Sequence, residues 1–249
     1  MKYYLLIILF VIIIFFYLKT SYKEGIDDIT LIISRYNENL EWLNYEPFNN
    51  YQYIVCNKGF NEYYLKTKNF KKEIKLDNVG REGHTYLYYI INNYDNLSKI
   101  NVFLPGSVNL EYKYYKATKL INEIHNNNSS VFLYDDYHEN IKNDLYNFQI
   151  EEYLSNEIAN RTEGSEKIQL SNIRPYGKWY EKFFGENKTN HFCKFGIFSV
   201  SREDIIKKPK NYYEELIKEV ETPNPEQGHY LERSWEAVFY PMKTVFIQN

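Results

Sequence analysis

The segment ITLIISRYNE (residues 29–38) decides the fold class, because a compact aliphatic and β-branched run passes directly into polar residues. Two further apolar runs have the same form. Residues 51–56 lead into NKG (57–59), and residues 100–104 lead into PGS (105–107). Short apolar runs bounded by turn residues are typical of strands that are buried on both faces. The chain is therefore expected to build its core on a sheet of such strands.

Helical patterns alternate with these runs. Apolar residues recur at i, i+3, i+4 and i+7 in three places: Leu87, Ile90, Ile91 and Tyr94; Ala117, Leu120, Ile121 and Ile124; and Tyr213, Leu216, Ile217 and Val220. Further strands are predicted at residues 131–134 and 195–200. This alternation predicts an α/β domain with a mainly parallel sheet, in which ligands bind at the carboxyl ends of the strands.

The amino terminus carries a membrane signal. Residues 3–18 are almost entirely apolar, would span roughly 24 Å as a helix, and have tyrosines at their edges and lysines outside them. No small-residue cleavage site follows, which favours an uncleaved anchor over a secretory signal peptide. We predict a signal anchor or transmembrane helix at 1–20, a juxtamembrane linker at 21–28 and a single α/β domain at 29–249. Lysines on both sides leave open which side of the membrane the domain occupies.

Composition narrows the function classes. The formal net charge of the 249 residues is −3 and the basic residues are scattered, which argues against a nucleic-acid partner. The two cysteines, Cys56 and Cys193, lie in apolar segments, which favours buried free thiols, with one disulfide between them as the alternative. The serine-hydrolase elbow, the P-loop and the zinc-protease motif are all absent from the sequence.

Polar loops follow the predicted strands and should meet at one edge of the sheet. NVGREGH (78–84) combines a helix amino terminus, two glycines and an arginine, which is a plausible binding site for a diphosphate. The candidate substrate-binding residues are Arg35, Glu38, Asn78, Gly80, Arg81, Glu82 and His84. In the alternative interpretation, Asn78 caps the helix, the glycines form the turn, and Arg81 and Glu82 are solvated.

The carboxyl-terminal segment supplies the candidate catalytic residues. Asn224-Pro225 predicts a helix start, and His229, Glu232, Arg233 and Glu236 follow at i, i+3, i+4 and i+7. Such a stripe either is a solvated ion-pair face or delivers a carboxylate base and its orienting cation into the crevice. Burial of the stripe distinguishes the two interpretations.

One segment has the chemistry of a metal site. Asp135, Asp136 and His138 directly follow the strand at 131–134, and carboxylates at a strand end are able to hold Mg²⁺ or Mn²⁺ beside a diphosphate. The alternative is a pair of solvent-facing acids in a turn. Trp179 and Tyr180 are either an aromatic platform for a sugar ring or ordinary packing in a chain with 27 tyrosines.

Several sequence blocks resemble a known family. SRYNE (34–38) with Trp42-Leu43, NVGREGHTYL (78–87), NYDNL (93–97) and VFL (102–104) are similar, in order and spacing, to the uncharacterised family known as domain of unknown function 3431. The similarity covers most of residues 29–240. Because members of that family have no settled activity, this resemblance supplies a relative and no reaction.

A second resemblance points to a reaction. NVGRE (78–82) is similar to the Asn-x-Gly-Arg-Asp element of rhamnan-synthesis glycosyltransferases, and GHYLER (228–233) resembles the Gly-x-x-x-Glu-Arg helix of some capsular-polysaccharide glycosyltransferases. These likenesses imply a GT-A-like (Rossmann-like) domain, a nucleotide-sugar donor, and a glycan or protein acceptor. The usual Asp-x-Asp metal motif is replaced by LPGS (104–107). Either Asp135 and Asp136 take its place, or Arg35 and Arg81 neutralise the diphosphate without metal, or transfer activity has been lost.

Three hypotheses follow from the sequence. The first is a single-pass membrane glycosyltransferase with its donor diphosphate near Arg35, Asn78, Gly80 and Arg81, and with Glu232 or Glu236 as the base. The second is a non-catalytic membrane-anchored binding or structural protein. The third is a hydrolase built on residues 135–138.

Overall fold

The computed structural model describes residues 8, 10–12, 28–127, 129–134, 146–150, 168–185 and 191–248. Most of the expected anchor (1–20) and linker (21–28) lies outside these residues. Within the part of the chain that is described, no helix combines the length and the apolar character needed to cross a membrane.

The main sheet has five strands in the order β3-β2-β1-β4-β6. Strands β1 to β4 are parallel, and β6 pairs antiparallel with β4. A second, parallel pair consists of β5 and β7. The strand bounds are β1 Ile29–Arg35, β2 Gln52–Asn57, β3 Phe70–Lys75, β4 Ile100–Pro105, β5 Ser130–Tyr134, β6 Phe198–Ser201 and β7 Thr244–Gln248. The mainly parallel α/β fold that the sequence predicted is therefore confirmed.

Side-chain bonds join the two sheets. The Ser199 Oγ accepts from the Val131 N–H at 2.8 Å, and the Ser130 Oγ accepts from the Ser201 N–H at 2.7 Å. Strand β5 therefore lies beside β6, although main-chain bonds do not pair the two strands.

The helices are α1 Arg81–Asn92, α2 Glu111–Asn127, α3 Tyr176–Phe184, α4 Arg202–Ile205, α5 Lys210–Ile217, α6 Glu226–Glu232 and α7 Trp235–Phe239. Helices α1, α3, α5, α6 and α7 pack on one face of the sheet, whereas α2 and two 3-10 turns, Glu41–Asn44 and Phe48–Asn50, cover the other. The sheet is thus the middle layer of three.

This layering explains the unbroken apolar strands. In β1, Ile32 joins the core beneath α1, while Leu31 and Ile33 join the core beneath α2. Because helices cover both faces, successive side chains are all buried, and no polar alternation is required. Between β1 and β4 the chain changes its direction of winding, which makes the carboxyl ends of these two strands the expected ligand crevice.

One predicted strand needs correction, and two strands, β3 and β7, were not predicted from the sequence. Strand β6 begins at Phe198 rather than at Phe195, because Phe195 adopts a left-handed φ of 70° within a 3-10 turn, Lys194–Gly196. Strand β3 was missed altogether. Its sequence, FKKEIK, lies at the edge of the sheet and contains only partly buried and exposed residues, so it lacks an apolar run.

Candidate functional site

A strained turn leads into α1 at the carboxyl edge of the sheet. Gly80 and Arg81 have left-handed φ values of 58° and 53°. A Cβ on Gly80 would lie 1.9 Å from the Val220 carbonyl oxygen, so only glycine fits there. Arg81 has no such freedom, and its conformation costs about 1–2 kcal/mol. Asn78 is exposed and Gly80 occupies the cap position, so the expected Asn78 cap is wrong.

Lys58 holds this turn by hydrogen bonds to its main chain. Its side chain is buried directly after β2, and its Nζ donates to the carbonyl oxygens of Val79 and Arg81. Burial lowers the pKa of Lys58 to about 7, although Glu82 opposes the shift. Lys58 is not among the candidate residues predicted from the sequence, where the available signal was a cation directly after a buried strand.

Arg81 connects the start of α1 to α6. Its Nη1 lies 3.2 Å from the Nε2 of His229. Because a guanidinium only donates, the Nε2 must be the acceptor, and the imidazole is neutral. Burial, together with the positive charges of Arg81 and Arg233, lowers the pKa of His229 to about 3. This contact joins two residues that are 148 positions apart in the chain.

Glu232 lies in the same cluster, at the end of α6. Its Oε1 accepts from the Phe195 N–H at 2.9 Å, and its Oε2 is 3.9 Å from the Arg233 Nη1. Burial and the neighbouring Glu82 raise the pKa of Glu232, while Arg233, the Phe195 N–H and Arg81 oppose the rise. The charge of Arg81 thus acts on Glu232, and Arg81 also contacts His229, which lies on the same helix as Glu232.

The prediction that His229, Glu232, Arg233 and Glu236 lie on one face of a single helix is wrong. Helix α6 ends at Glu232 and α7 begins at Trp235, so Glu236 points elsewhere. Its two oxygens accept from the His191 N–H at 2.7 Å and contact the His191 Nδ1 at 3.1 Å. The solvated-face interpretation is also wrong, because His229 and Glu236 are buried and the Glu232 and Arg233 side chains are only 20% and 17% exposed.

Arg35 braces the edge of the sheet instead of lying open to a ligand. It is 1% exposed, its Nε donates to the Glu38 carbonyl at 2.9 Å, and its Nη1 donates to Asn57 and Asn61. Its guanidinium also lies 4.5 Å from the centre of the Tyr64 ring. Burial lowers the pKa of Arg35. The predicted contact between Arg35 and a diphosphate therefore loses support.

Glu38 occupies the switch point between β1 and β4. Its Oε2 accepts from the Tyr36 N–H at 2.6 Å and lies against Gly106, where a Cβ would be 2.7 Å away. A side chain at position 106 would displace this carboxylate. Glu38 thus places a carboxylate beside Gly106, within the segment LPGS (104–107) that replaces the Asp-x-Asp motif.

His84 lies in the first turn of α1, directly after the strained turn. It is buried, it stacks on Tyr88, and burial together with Lys58 lowers its pKa to about 4. Its Nδ1 is buried without a hydrogen-bond partner among the described residues. His84 is consequently neutral near pH 7.

The remaining candidates divide into three groups. Asp135, Asp136 and His138 lie outside the described residues, and the part that is described contains no group of three or more metal-binding side chains. Trp179 and Tyr180 are buried in the core, so the packing interpretation is correct. Cys56 and Cys193 are buried and are not joined by a disulfide, and burial raises the pKa of Cys56 to about 12.

Comparisons with known proteins give the family of this chain and no reaction. The comparison with curated proteins finds no match. A family model described as a protein of unknown function, DUF3431, matches residues 31–248, which include all of the two sheets except the first two residues of β1, and also the strained turn and helices α1 and α6. The resemblance seen in the sequence is thereby confirmed, and the chain belongs to the DUF3431 family.

Proposed function

We propose that this protein is a membrane-anchored glycosyltransferase that uses a nucleotide-sugar donor. One observation carries the proposal: a guanidinium from the start of α1 and a carboxylate from the end of α6 lie in one cluster at the carboxyl edge of a parallel sheet. Transfer from a nucleotide sugar needs both groups, a cation for the departing diphosphate and a base for the acceptor hydroxyl.

The proposed step is a single displacement. The acceptor oxygen bonds to the anomeric carbon while the bond from that carbon to the diphosphate oxygen breaks. The diphosphate leaves with the electron pair, and the Arg81 guanidinium and the amino terminus of α1 stabilise its charge. Glu232 takes the proton of the acceptor hydroxyl. A raised pKa suits this role, because a carboxylate with a higher pKa is a stronger base.

Two further features support the proposal. The change of winding between β1 and β4 offers a crevice of the kind that nucleotide-binding α/β sheets use, which is compatible with the GT-A-like fold that the resemblance implies. The apolar residues 3–18 would hold the domain at a membrane. Mn²⁺ or Mg²⁺ held by Asp135 and Asp136 remains one version of the donor site, and a metal-free site based on Arg81 is the other.

Donor binding is tested by thermal unfolding of the full chain with a panel of nucleotide sugars, with and without Mn²⁺. A donor present at about 100 times its Kd should stabilise the protein by about 2.7 kcal/mol. Arg81→Gln should abolish the shift, whereas Arg202→Gln, at an exposed position on α4, should retain it. The proposal fails if no nucleotide sugar raises the unfolding temperature, or if Arg81→Gln leaves the shift unchanged.

The base is tested by sugar transfer in the presence of the donor that binds. Glu232→Gln should reduce kcat by about 10²- to 10⁴-fold, because a carboxamide cannot accept the proton. Donor binding should be retained. An equal rate for Glu232→Gln and the wild type would exclude Glu232 as the base.

A further inference from the structure

A groove of about 390 Å³ lies on the opposite face of the sheet from the charged cluster. It is formed where the 3-10 turn after β1 meets the start of α2. Its size lies within the range of small-ligand sites. Six side chains line it: Asn39, Glu41, Trp42, Tyr45, Asn109 and Tyr114.

Two of the three aromatic side chains that line the groove, Trp42 and Tyr114, are held by hydrogen bonds and ring contacts. The Trp42 Nε1 donates to the Gly106 carbonyl at 3.1 Å, and the Trp42 ring packs edge-on against Phe48 at 5.0 Å. The Tyr114 hydroxyl donates to the Glu46 carbonyl at 3.1 Å, and its ring also contacts Phe48 edge-on. Such bracing fixes the ring positions before any ligand arrives, which reduces the entropy lost on binding.

The chemistry of the lining selects a class of ligand. Three aromatic rings alternate with two carboxamides and one carboxylate, and none of the six side chains is basic. A phosphorylated ligand would therefore meet no cation in the lining. Sugars present apolar C–H faces that pack on aromatic rings, and hydroxyl groups that pair with carboxamide and carboxylate groups. We propose that this groove binds a segment of a neutral oligosaccharide.

Gly106 connects the groove to the carboxyl ends of β1 and β4. Gly106, which accepts from Trp42 on the groove side, packs on the other side against the Glu38 carboxylate and the Arg35 main chain. A glycan seated in the groove would thus run beside the carboxyl ends of β1 and β4. The inference rests on the proposed function only in naming a glycan, rather than a protein, as the acceptor; binding itself needs no donor.

The experiment measures binding of soluble oligosaccharides to the full chain, using saturation-transfer NMR and isothermal calorimetry. The probes are hexamers of glucose, N-acetylglucosamine, mannose, galactose and rhamnose. Tyr45→Ala removes a ring that is 60% exposed and lines the groove, so it should not disturb folding. Tyr115→Ala is the matched control, because Tyr115 is 65% exposed on α2 and does not line the groove.

At least one probe should bind, and Tyr45→Ala should weaken that binding about tenfold, while Tyr115→Ala leaves it unchanged. Asn109→Ala should also weaken it. The proposal is overturned if no probe binds, or if Tyr45→Ala binds as tightly as the wild type. Tyr45→Ala should retain the thermal shift with nucleotide sugars, and Arg81→Gln should retain oligosaccharide binding. The two measurements therefore distinguish a failure of the proposed oligosaccharide groove from a failure of the proposed donor site.

Discussion

The two ends of α6 place glutamates in opposite situations. At its start, the Glu226 carboxylate is fully buried and pairs with the Arg174 Nε at 2.9 Å. It also accepts hydrogen bonds from the Ile150 and Ser171 N–H groups and from the Tyr230 hydroxyl, all within 3.0 Å. At the other end, Glu232 receives one main-chain N–H, lies 3.9 Å from Arg233 and faces the like charge of Glu82.

The helix itself adds to this difference. A carboxylate at a helix amino terminus is stabilised by the peptide dipoles, whereas one at the carboxyl terminus is destabilised. Glu226 has its favourable contacts already satisfied within the protein and ties residues 146–150 and 168–174 to α6. Glu232 keeps unfavourable contacts that a substrate proton would relieve. Of the two glutamates, Glu232 is therefore the one suited to proton transfer.

The largest expected effect separates the two glutamates by stability. Glu226→Ala should lower the free energy of unfolding by about 3–5 kcal/mol, because it leaves the Ile150 and Ser171 N–H groups and the Tyr230 hydroxyl without their acceptor. Glu232→Ala should change it by less than about 1 kcal/mol, since one lost hydrogen bond is offset by relief from Glu82. Urea unfolding measures both values. Equal losses would remove the distinction between the two ends of the helix.

A second prediction sharpens the comparison through pH. The raised pKa of Glu232 means that, between the unfolded value of about 4.3 and the folded value, the folded state binds more protons. The stability contribution of Glu232 is thus present at low pH and lost as the pH rises through this window. Relative to Glu232→Gln, the wild type should lose up to about 1.4 kcal/mol per pH unit there. Urea unfolding across that range measures the difference.

Asp204 provides the control of opposite sign. Burial alone would raise its pKa, but hydrogen bonds from Lys207, the Lys243 N–H and two serines outweigh burial and lower it. Its contribution is present above the unfolded pKa of about 3.9 and lost as the pH falls through the folded value. The difference in unfolding free energy between the wild type and Asp204→Asn should therefore increase with rising pH. If both differences, for Glu232→Gln and for Asp204→Asn, changed with pH in the same direction, the assigned directions of the two pKa shifts would be contradicted.

A third prediction concerns the spacing of Glu82 and Glu232. Gly196 has a φ of 62°, and a Cβ there would lie 3.0 Å from the Glu82 Cγ and 3.3 Å from the Tyr86 ring. Gly196→Ala should cost about 1–2 kcal/mol for the backbone conformation, plus a further cost for this crowding. The control is Gly196→Ala in a Glu82→Ala background, which keeps the backbone cost and removes the Glu82 Cγ. An equal cost of Gly196→Ala in both backgrounds would show that Glu82 is not held against the turn.

Much of this arrangement was predictable from the sequence, and the reasons are local. The apolar runs at 29–34, 51–56 and 100–104 form strands because both of their faces are buried, so the pattern requires no knowledge of the partner elements. Arg81 and Glu232 were identified from residue type and position alone. That these two residues would lie near one another was a hypothesis, since the approach of α1 to α6 depends on packing between distant segments.

The features that were missed depend on tertiary contacts. The break after Glu232 interrupts a continuous helical pattern, and the Ser234 Oγ, which donates to the Tyr230 carbonyl and contacts the Tyr176 hydroxyl, is buried at that break. Arg35 looked like a ligand for phosphate because loops after strands often bind anions. Its actual partners, Asn57 and Asn61, come from the following strand and loop, and no local pattern reveals that pairing.

The smallest effect on stability is expected at an exposed carboxylate, Glu215, which serves as the reference for Glu226, Glu232 and Asp204. Glu215 lies 2.7 Å from Lys218, three residues along the chain, and both side chains are largely exposed. Water and salt screen such a pair, so Glu215→Gln should leave the urea midpoint unchanged. The test compares the shift in urea midpoint of Glu215→Gln with that of Glu232→Ala. Equal shifts would mean that the effect at Glu232 reflects general surface electrostatics rather than its place beside Glu82. An unchanged midpoint assigns any effect at Glu232 to burial and to its neighbouring charge.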